Sequence, residues 1–475
     1  MASCSKVIQG IVLLPFIILF VVFFLALIVV YLVTLVGPVY HFFRGRHEKA
    51  TYLDMEGLLR RHRDLHTFRT ARGNIAYRWT VASGAAAAGG EHAAEMDESV
   101  GLLAAAAAAP TGGQPRRFPV VQPGGLGSTL AAVAFLHDGL VAQGFDVLTF
   151  DRLGVGYSDD VDAARHAATM QAHVDEMHAL LLLVDPSRPW ILVGGSFGST
   201  VGQLYAAQHP DRVAGFVNLD GLPYYLSTCE GSRESFSKSV PQMYAMEANV
   251  SATGFFRFPL WLASVLLGFH EPYARSEISY PEVYAQLQHS RLLSTIQHEC
   301  PLMMDCCDAL IPRWGALSAS SLPADVLLRL ASAPPAFTHL NGVTTPASQA
   351  DAAEIEALRQ LLQQIAAQDE DNAFLRMWQG IPVVSISCTN YWFDPSESFL
   401  TAEMRRCYSA EHTLLALVSS RGERWVFPEY THLGTLTLKD QLFRAVLQVS
   451  DLASHSANLH SPSTILLDLD ADDVA

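Results

Sequence analysis

Charge is scarce in this chain of 475 residues: acidic and basic side chains make up 16% of it, well below the roughly 25% of an ordinary soluble domain. The shortfall implies a large buried interior together with a segment that sits in lipid. Basic residues are the scarcer sign, 31 against 47 acidic for a net charge of -16. With no cluster of Lys and Arg in the globular part, a nucleic-acid surface is excluded. Cysteine is too sparse for a disulfide scaffold, and an odd count of 7 leaves at least one thiol unpaired. Cys300, Cys306 and Cys307 lie near His298, but neither a C-x-x-C pair nor paired histidines complete a zinc site. Phosphate-binding signatures are also missing: no Gly-Lys-Ser/Thr and no G-x-G-x-x-G follows the first glycine loop.

Between Val7 and Tyr40 there is no acidic or basic side chain, and "IVLLPFIILFVVFFLALIVVYLV" fills Ile11 to Val33. A span needs about 20 apolar residues, whereas the apolar region of a cleaved signal peptide runs to about 7–15 and ends at a small-residue site that is not seen here. An uncleaved, single-pass anchor is expected. Lys6 alone precedes it, while Arg44, Arg46 and Lys49 follow, so the positive-inside bias puts the bulk of the chain on the cytosolic side. The sequon Asn249-Val250-Ser251 is consistent with the opposite orientation.

Residues 67–82 alternate in period two around a glycine and predict an antiparallel hairpin. Residues 83–117, mostly Ala and Gly, form a low-complexity insert with little to bury. Apolar runs then alternate with helix-length stretches: "FPVVQ", a helix over 130–143, "FDVLTF", a helix over 163–183, "PWILVGG", a helix over 199–208, and "VAGFVNLD". Such alternation implies a parallel sheet covered on both faces. It is interrupted over 222–379 by material rich in helix formers, too long and too apolar for a loop. It resumes with "IPVVSIS", "RWVF" and a closing helix over 433–449. The division expected is an anchor and basic flank (1–50), a first α/β part (51–221), an inserted helical cap (222–379), a second α/β part (380–455) and an acidic tail (456–475).

Within "WILVGGSFGSTVG", Gly194-Gly195-Ser196-Phe197-Gly198 fits G-x-S-x-G. A serine at a sharp strand-to-helix turn projects its hydroxyl out of the sheet, and the glycines relieve crowding there. A hydroxyl is a poor nucleophile without a base to take its proton. His432, just beyond the last predicted strand, is the expected base; His412 competes from a predicted helix. The imidazole needs an orienting carboxylate, for which Asp394 is expected, in the chain order Ser, Asp, His, with Glu397 and Asp220 as alternatives. Gly124-Gly125 after the first parallel strand offers backbone donors, so the oxyanion is assigned to the N–H groups of Gly125 and Phe197.

Together these residues resemble the α/β-hydrolase superfamily over roughly Thr67 to Ser450. "GGSFGSTVGQLYAAQHPDRV" is similar to the nucleophile segment of prolyl iminopeptidases and related hydrolases, and "DRLGVGYSD" (Asp151–Asp159) to the D-x-x-G-x-G-x-S loop that helps shape the site in such enzymes. The chain departs from relatives in carrying Pro123 where an oxyanion loop begins His-Gly, and in placing Asp394 later than a compact G-x-x-D. The resemblance implies an α/β-hydrolase fold and a serine hydrolase working through an acyl-enzyme. Serine in place of an aspartate nucleophile turns it from epoxide or haloalkane opening toward esters, thioesters or amides. No cofactor or metal is implied. The expected partners are a small acyl substrate, lipid esters first, and the membrane; an aminopeptidase and a catalytically silent binding protein are the alternatives.

Overall fold

The computed structural model describes residues 64–82, 117–159, 169–221, 224–228, 231–253, 290–318, 321–340, 343–369, 371–389, 402–430, 432 and 438–459. The expected anchor, the low-complexity insert and the acidic tail lie outside these. Among the described residues no helix is long and apolar enough to cross a membrane.

The period-two segment folds as expected. Strand β1 (Leu65–Arg69) and strand β2 (Asn74–Thr80) pair antiparallel around a turn closed by Thr70 N–H donating to Gly73 O. Strand β3 (Val120–Gln122), helix α1 (Ala134–Ala142), strand β4 (Val147–Phe150), helix α2 (Met170–Val184), strand β5 (Trp190–Gly195), helix α3 (Phe197–Gln208) and strand β6 (Val213–Leu219) then alternate. Their apolar runs are buried along almost their whole length, as strands covered on both faces require.

After β6 come helix α4 (Val240–Thr253), helix α5 (Ser290–Trp314), helix α6 (Ala324–Ser332), strand β7 (Phe337–Leu340), strand β8 (Val343–Pro346), helix α7 (Gln349–Ala366) and helix α8 (Ala373–Gly380). Strand β9 (Val383–Cys388), helix α9 (Ala402–Val418), strand β10 (Gly422–Phe427) and helix α10 (Lys439–Leu459) complete the fold. The sheet has ten strands in the order β1-β2-β4-β3-β5-β6-β9-β10-β7-β8. From β4 to β7 neighbours run parallel, and β1, β2 and β8 are antiparallel to theirs.

Several boundaries differ from the sequence-based expectation, among them that of α1, which spans Ala134–Ala142 rather than 130–143. The insertion between β6 and β9 is not purely helical, because the hairpin β7–β8 adds two strands to the main sheet beside β10. Helix α3 begins at Phe197, directly after the serine, which sits at its N-cap. The closing helix starts at Lys439 and runs ten residues past Val449, keeping Ala453 buried on its inner face. The inserted helices do not stand apart from the sheet: Leu292, Ile296 and Met303 of α5 share one apolar cluster with Phe197 and Val201 of α3. That shared cluster seats α5 over the carboxyl end of β5.

Candidate active site

Ser196 lies between β5 and α3 at φ 49° and ψ -125°, in the left-handed half of backbone space that non-glycine residues rarely enter. The turn is tight enough to forbid side chains on either side. A Cβ on Gly194 would fall 2.6 Å from Ser199 Cα, and one on Gly198 would fall 2.0 Å from Pro123 O. This is the steric reason for glycine two places before and two places after the serine. The strain is held by Ser196 N–H donating to Leu219 O at 3.2 Å and Ser199 N–H donating to Ser196 O at 2.9 Å.

The first of these bonds ties the serine to the end of β6, where the next residue is Asp220. Asp220 is completely buried and also holds a positive φ of 49°. Its position is fixed from several sides. Its N–H donates to Ile386 O, its Oδ1 accepts from Cys388 N–H at 2.8 Å, and its carbonyl accepts from Tyr408 Oη at 2.8 Å. The remaining oxygen, Oδ2, lies 2.7 Å from His432 Nδ1. The carboxylate beside His432 is that of Asp220, one of the alternatives the sequence offers; Asp394, the acid expected, and Glu397 lie outside the described residues. Adjacency explains the choice, since β6 is the hydrogen-bonded neighbour of β5 and its carboxyl end delivers Asp220 beside the serine. Among the described residues no hydrogen bond links Ser196 Oγ to the ring, a contact that in free enzymes often tightens only with substrate in place.

His412, the competing histidine, is a core residue of α9 and 1% exposed. Its Nε2 lies 3.0 Å from Gly221 O, so it carries the proton there, and its Nδ1 accepts from Ser387 Oγ at 2.9 Å. Burial pushes its pKa down to about 4, so the ring stays neutral. Stacked on Tyr408, with ring centroids 4.8 Å apart, it helps clamp the Asp220-Gly221 backbone.

Gly125 lies against the serine: a Cβ built on it would be 3.3 Å from both Gly195 O and Ser196 Cβ. Beneath its loop lies a group that sequence reasoning missed. Arg152, 3% exposed, donates through Nη1 to Gly124 O at 2.5 Å and through Nη2 to Gly125 O at 3.0 Å. Its guanidinium also sits 5.0 Å above the Phe197 ring. The counter-charge is Glu299 of α5, bound in a two-pronged pair by Nε and Nη2, each at 3.0 Å. Glu299 had a legible signal: a carboxylate in the apolar stripe Leu292, Ile296, Met303, at the spacing of one helix face. The neighbouring Asp151 is structural, its carboxylate accepting the N–H groups of Leu130 and Tyr157.

A family model described as the alpha/beta hydrolase fold matches residues 119–256, which span β3 to β6 and the serine turn. Over this segment the chain has the α/β-hydrolase fold. Among solved structures it is similar to a carboxylesterase of the thaumarchaeon Nitrososphaera gargenis, at 11% identity over 82% of this chain and 100% of the other, with a TM-score of 0.41. An α/β hydrolase from a Medee basin deep-sea metagenome library shares 10% identity over 80% and 96% of the two chains, with a TM-score of 0.42. The thioesterase domain of the curacin biosynthetic pathway shares 12% over 81% and 98%, with a TM-score of 0.36. Likenesses this distant carry no argument about substrate.

Proposed function

We propose that this protein is a membrane-anchored serine hydrolase that cleaves carboxylic esters, lipid or other apolar esters first, through an acyl-enzyme on Ser196. The observation that carries the reading is the 2.7 Å contact of Asp220 Oδ2 with His432 Nδ1, made from the strand next to the one that ends in Ser196. With Nδ1–H donating to the carboxylate, the lone pair is on Nε2, the tautomer a general base needs. In the proposed reaction Nε2 takes the Ser196 proton as Oγ bonds to the acyl carbon. The carbonyl π electrons move to oxygen, where the N–H groups of Gly125 and Phe197 meet the charge. Collapse expels the alkoxide, which takes the proton from His432. Water, deprotonated by the same nitrogen, then attacks the acyl carbon; the Oγ–acyl bond breaks, Ser196 Oγ takes the proton back from His432, and the acid is released.

A fluorophosphonate probe is expected to label the folded full-length chain at Ser196, and Ser196→Ala to abolish the label. An unlabelled folded protein would instead support a catalytically silent binding module. Relative turnover of p-nitrophenyl acyl esters and prolyl-naphthylamide separates the esterase from the iminopeptidase-like alternative; faster amide cleavage reverses the order.

The anchor rests on the apolar run Ile11–Val33. Its basic flank, Arg44, Arg46 and Lys49 after the run against Lys6 before it, favours a hydrolase domain on the cytosolic side. Peptide N-glycosidase is then expected to leave the mobility of the protein expressed in eukaryotic cells unchanged, whereas a shift that is lost in Asn249→Gln would place the domain on the lumenal or outer side.

A further inference from the structure

We infer that Arg152, held by Glu299 of the inserted helix α5, is a positioning residue that turns the Gly124-Gly125 peptide so that its N–H faces the oxyanion above Ser196. The inference deepens the serine-hydrolase reading and rests on it. A trans peptide points its C=O and its N–H to opposite sides. Arg152 Nη1 draws Gly124 O to one side, which sends the Gly125 N–H to the other, and Gly125 is the residue whose backbone lies against Ser196. A cation on the carbonyl also polarises the amide, making its N–H a stronger donor. The same guanidinium covers the ring of Phe197, the residue that supplies the second donor. One buried cation thus touches both donor residues without approaching substrate.

Glu299 fixes that cation. It is 1% exposed and grips two guanidinium nitrogens, a planar match that a lysine cannot make. The nearby His173, whose pKa burial lowers to about 4, stays neutral and leaves the carboxylate charge to Arg152. Helix α5 also bonds the second glycine loop, Thr295 Oγ1 donating to Gly154 O at 2.9 Å. It packs Ile296 against Gly127, where a Cβ would fall 2.4 Å from Ile296 Cδ1. Oxyanion donors on the sheet are thereby set by a carboxylate in the insertion.

The test replaces both charges at once, as Arg152→Met with Glu299→Leu, so that no ion is left buried and unpaired. Beside it goes Arg152→Lys, which keeps the charge and loses the fork. With a p-nitrophenyl acyl ester, the double variant is expected to lose about 10–100-fold in kcat, since it misplaces a donor without deleting it. KM and the thermal midpoint should stay near those of the parent. Affinity for an alkyl trifluoromethyl ketone, which forms an oxyanion at the same place, should fall by a similar factor, while affinity for the product acid is kept. Arg152→Lys should fall between the two. Unchanged kcat in the double variant overturns the inference, as does a loss confined to KM or to the thermal midpoint; should the double variant not fold, Arg152→Lys at the parental kcat overturns it equally. Turnover that requires Ser196 yet ignores Arg152 refutes the clamp alone, whereas turnover indifferent to Ser196→Ala refutes the underlying reading and the clamp with it.

Discussion

Replacing Asp220 by Asn is expected to lower acyl-ester kcat by about 10⁴-fold, the scale found when a buried orienting carboxylate is exchanged for its amide, while Asp394→Asn stays near the parental rate. The size of the effect follows from the hydrogen bonds already around the side chain. Oδ1 accepts from Cys388 N–H, so an asparagine keeps its oxygen there and turns its NH2 group toward His432. The ring nitrogen at that place, Nδ1, must then accept a hydrogen bond from the amide instead of donating one. Nε2 carries the proton in that tautomer and cannot take another from Ser196. The fold tolerates the change, since asparagine accepts the positive φ of this position better than most residues and the backbone bonds to Ile386 and Tyr408 remain. Parallel measurement of kcat and thermal midpoint decides the matter. A larger loss at Asp394 than at Asp220 would return the acid to the loop after β9 and leave the 2.7 Å contact as packing.

That prediction also marks where the sequence stopped being informative. The strands β3, β4, β5, β6, β9 and β10 were legible because each is a short, nearly continuous apolar run between turn residues, the pattern forced on a strand buried on both faces. Ser196 was legible because steric crowding at the turn writes itself as glycine on both sides. The acid was not, because chain order alone admits Asp220 as readily as Asp394: both fall between Ser196 and His432. What separates them is which strand lies next to β5, and strand order in a sheet is a long-range property that no local run reports.

The hairpin β7–β8 was missed for a different reason. Its runs "FTHL" and "VTTP" are four residues each and lie among helix formers, so period counting had little to work with. The Asn341-Gly342 pair between them was the available turn signal. Arg152 was hidden inside a motif whose glycines and Asp151 drew the reading toward the shape of the loop. Its role depends on Glu299, 147 residues away in sequence, and only packing of α5 on α3 brings them together.

Acid is expected to destabilise the folded protein between pH 6.5 and 4, and the buried histidines set the sign. Burial lowers the pKa of His173 and of His412 from 6.5 to about 4, so in this range the unfolded chain binds protons that the folded chain refuses. Stability is therefore fully present above pH 6.5 and is lost as pH falls toward the folded values. At 1.36 kcal/mol per pKa unit, each ring contributes on the order of 3 kcal/mol across the range. His137, completely buried and also lowered, adds in the same direction. Among the described residues Glu176 opposes them: burial raises its carboxyl from 4.5 to about 7. It holds its proton in the folded state over the same window and makes stability fall as pH rises. Two resolved histidine shifts of similar size against one carboxyl leave a net loss toward acid. Thermal midpoints should change little between pH 8 and 6.5 and then fall at pH 5 and pH 4. His173→Phe should flatten the decline, because among the described residues neither ring nitrogen makes a hydrogen bond, Nε2 standing 3.5 Å from Glu299 Oε1. Glu176→Gln should steepen it by removing the opposing proton. A parental profile flat from pH 6.5 to 4, or a His173→Phe profile as steep as the parental one, would mean that these buried groups titrate together with charges that compensate them.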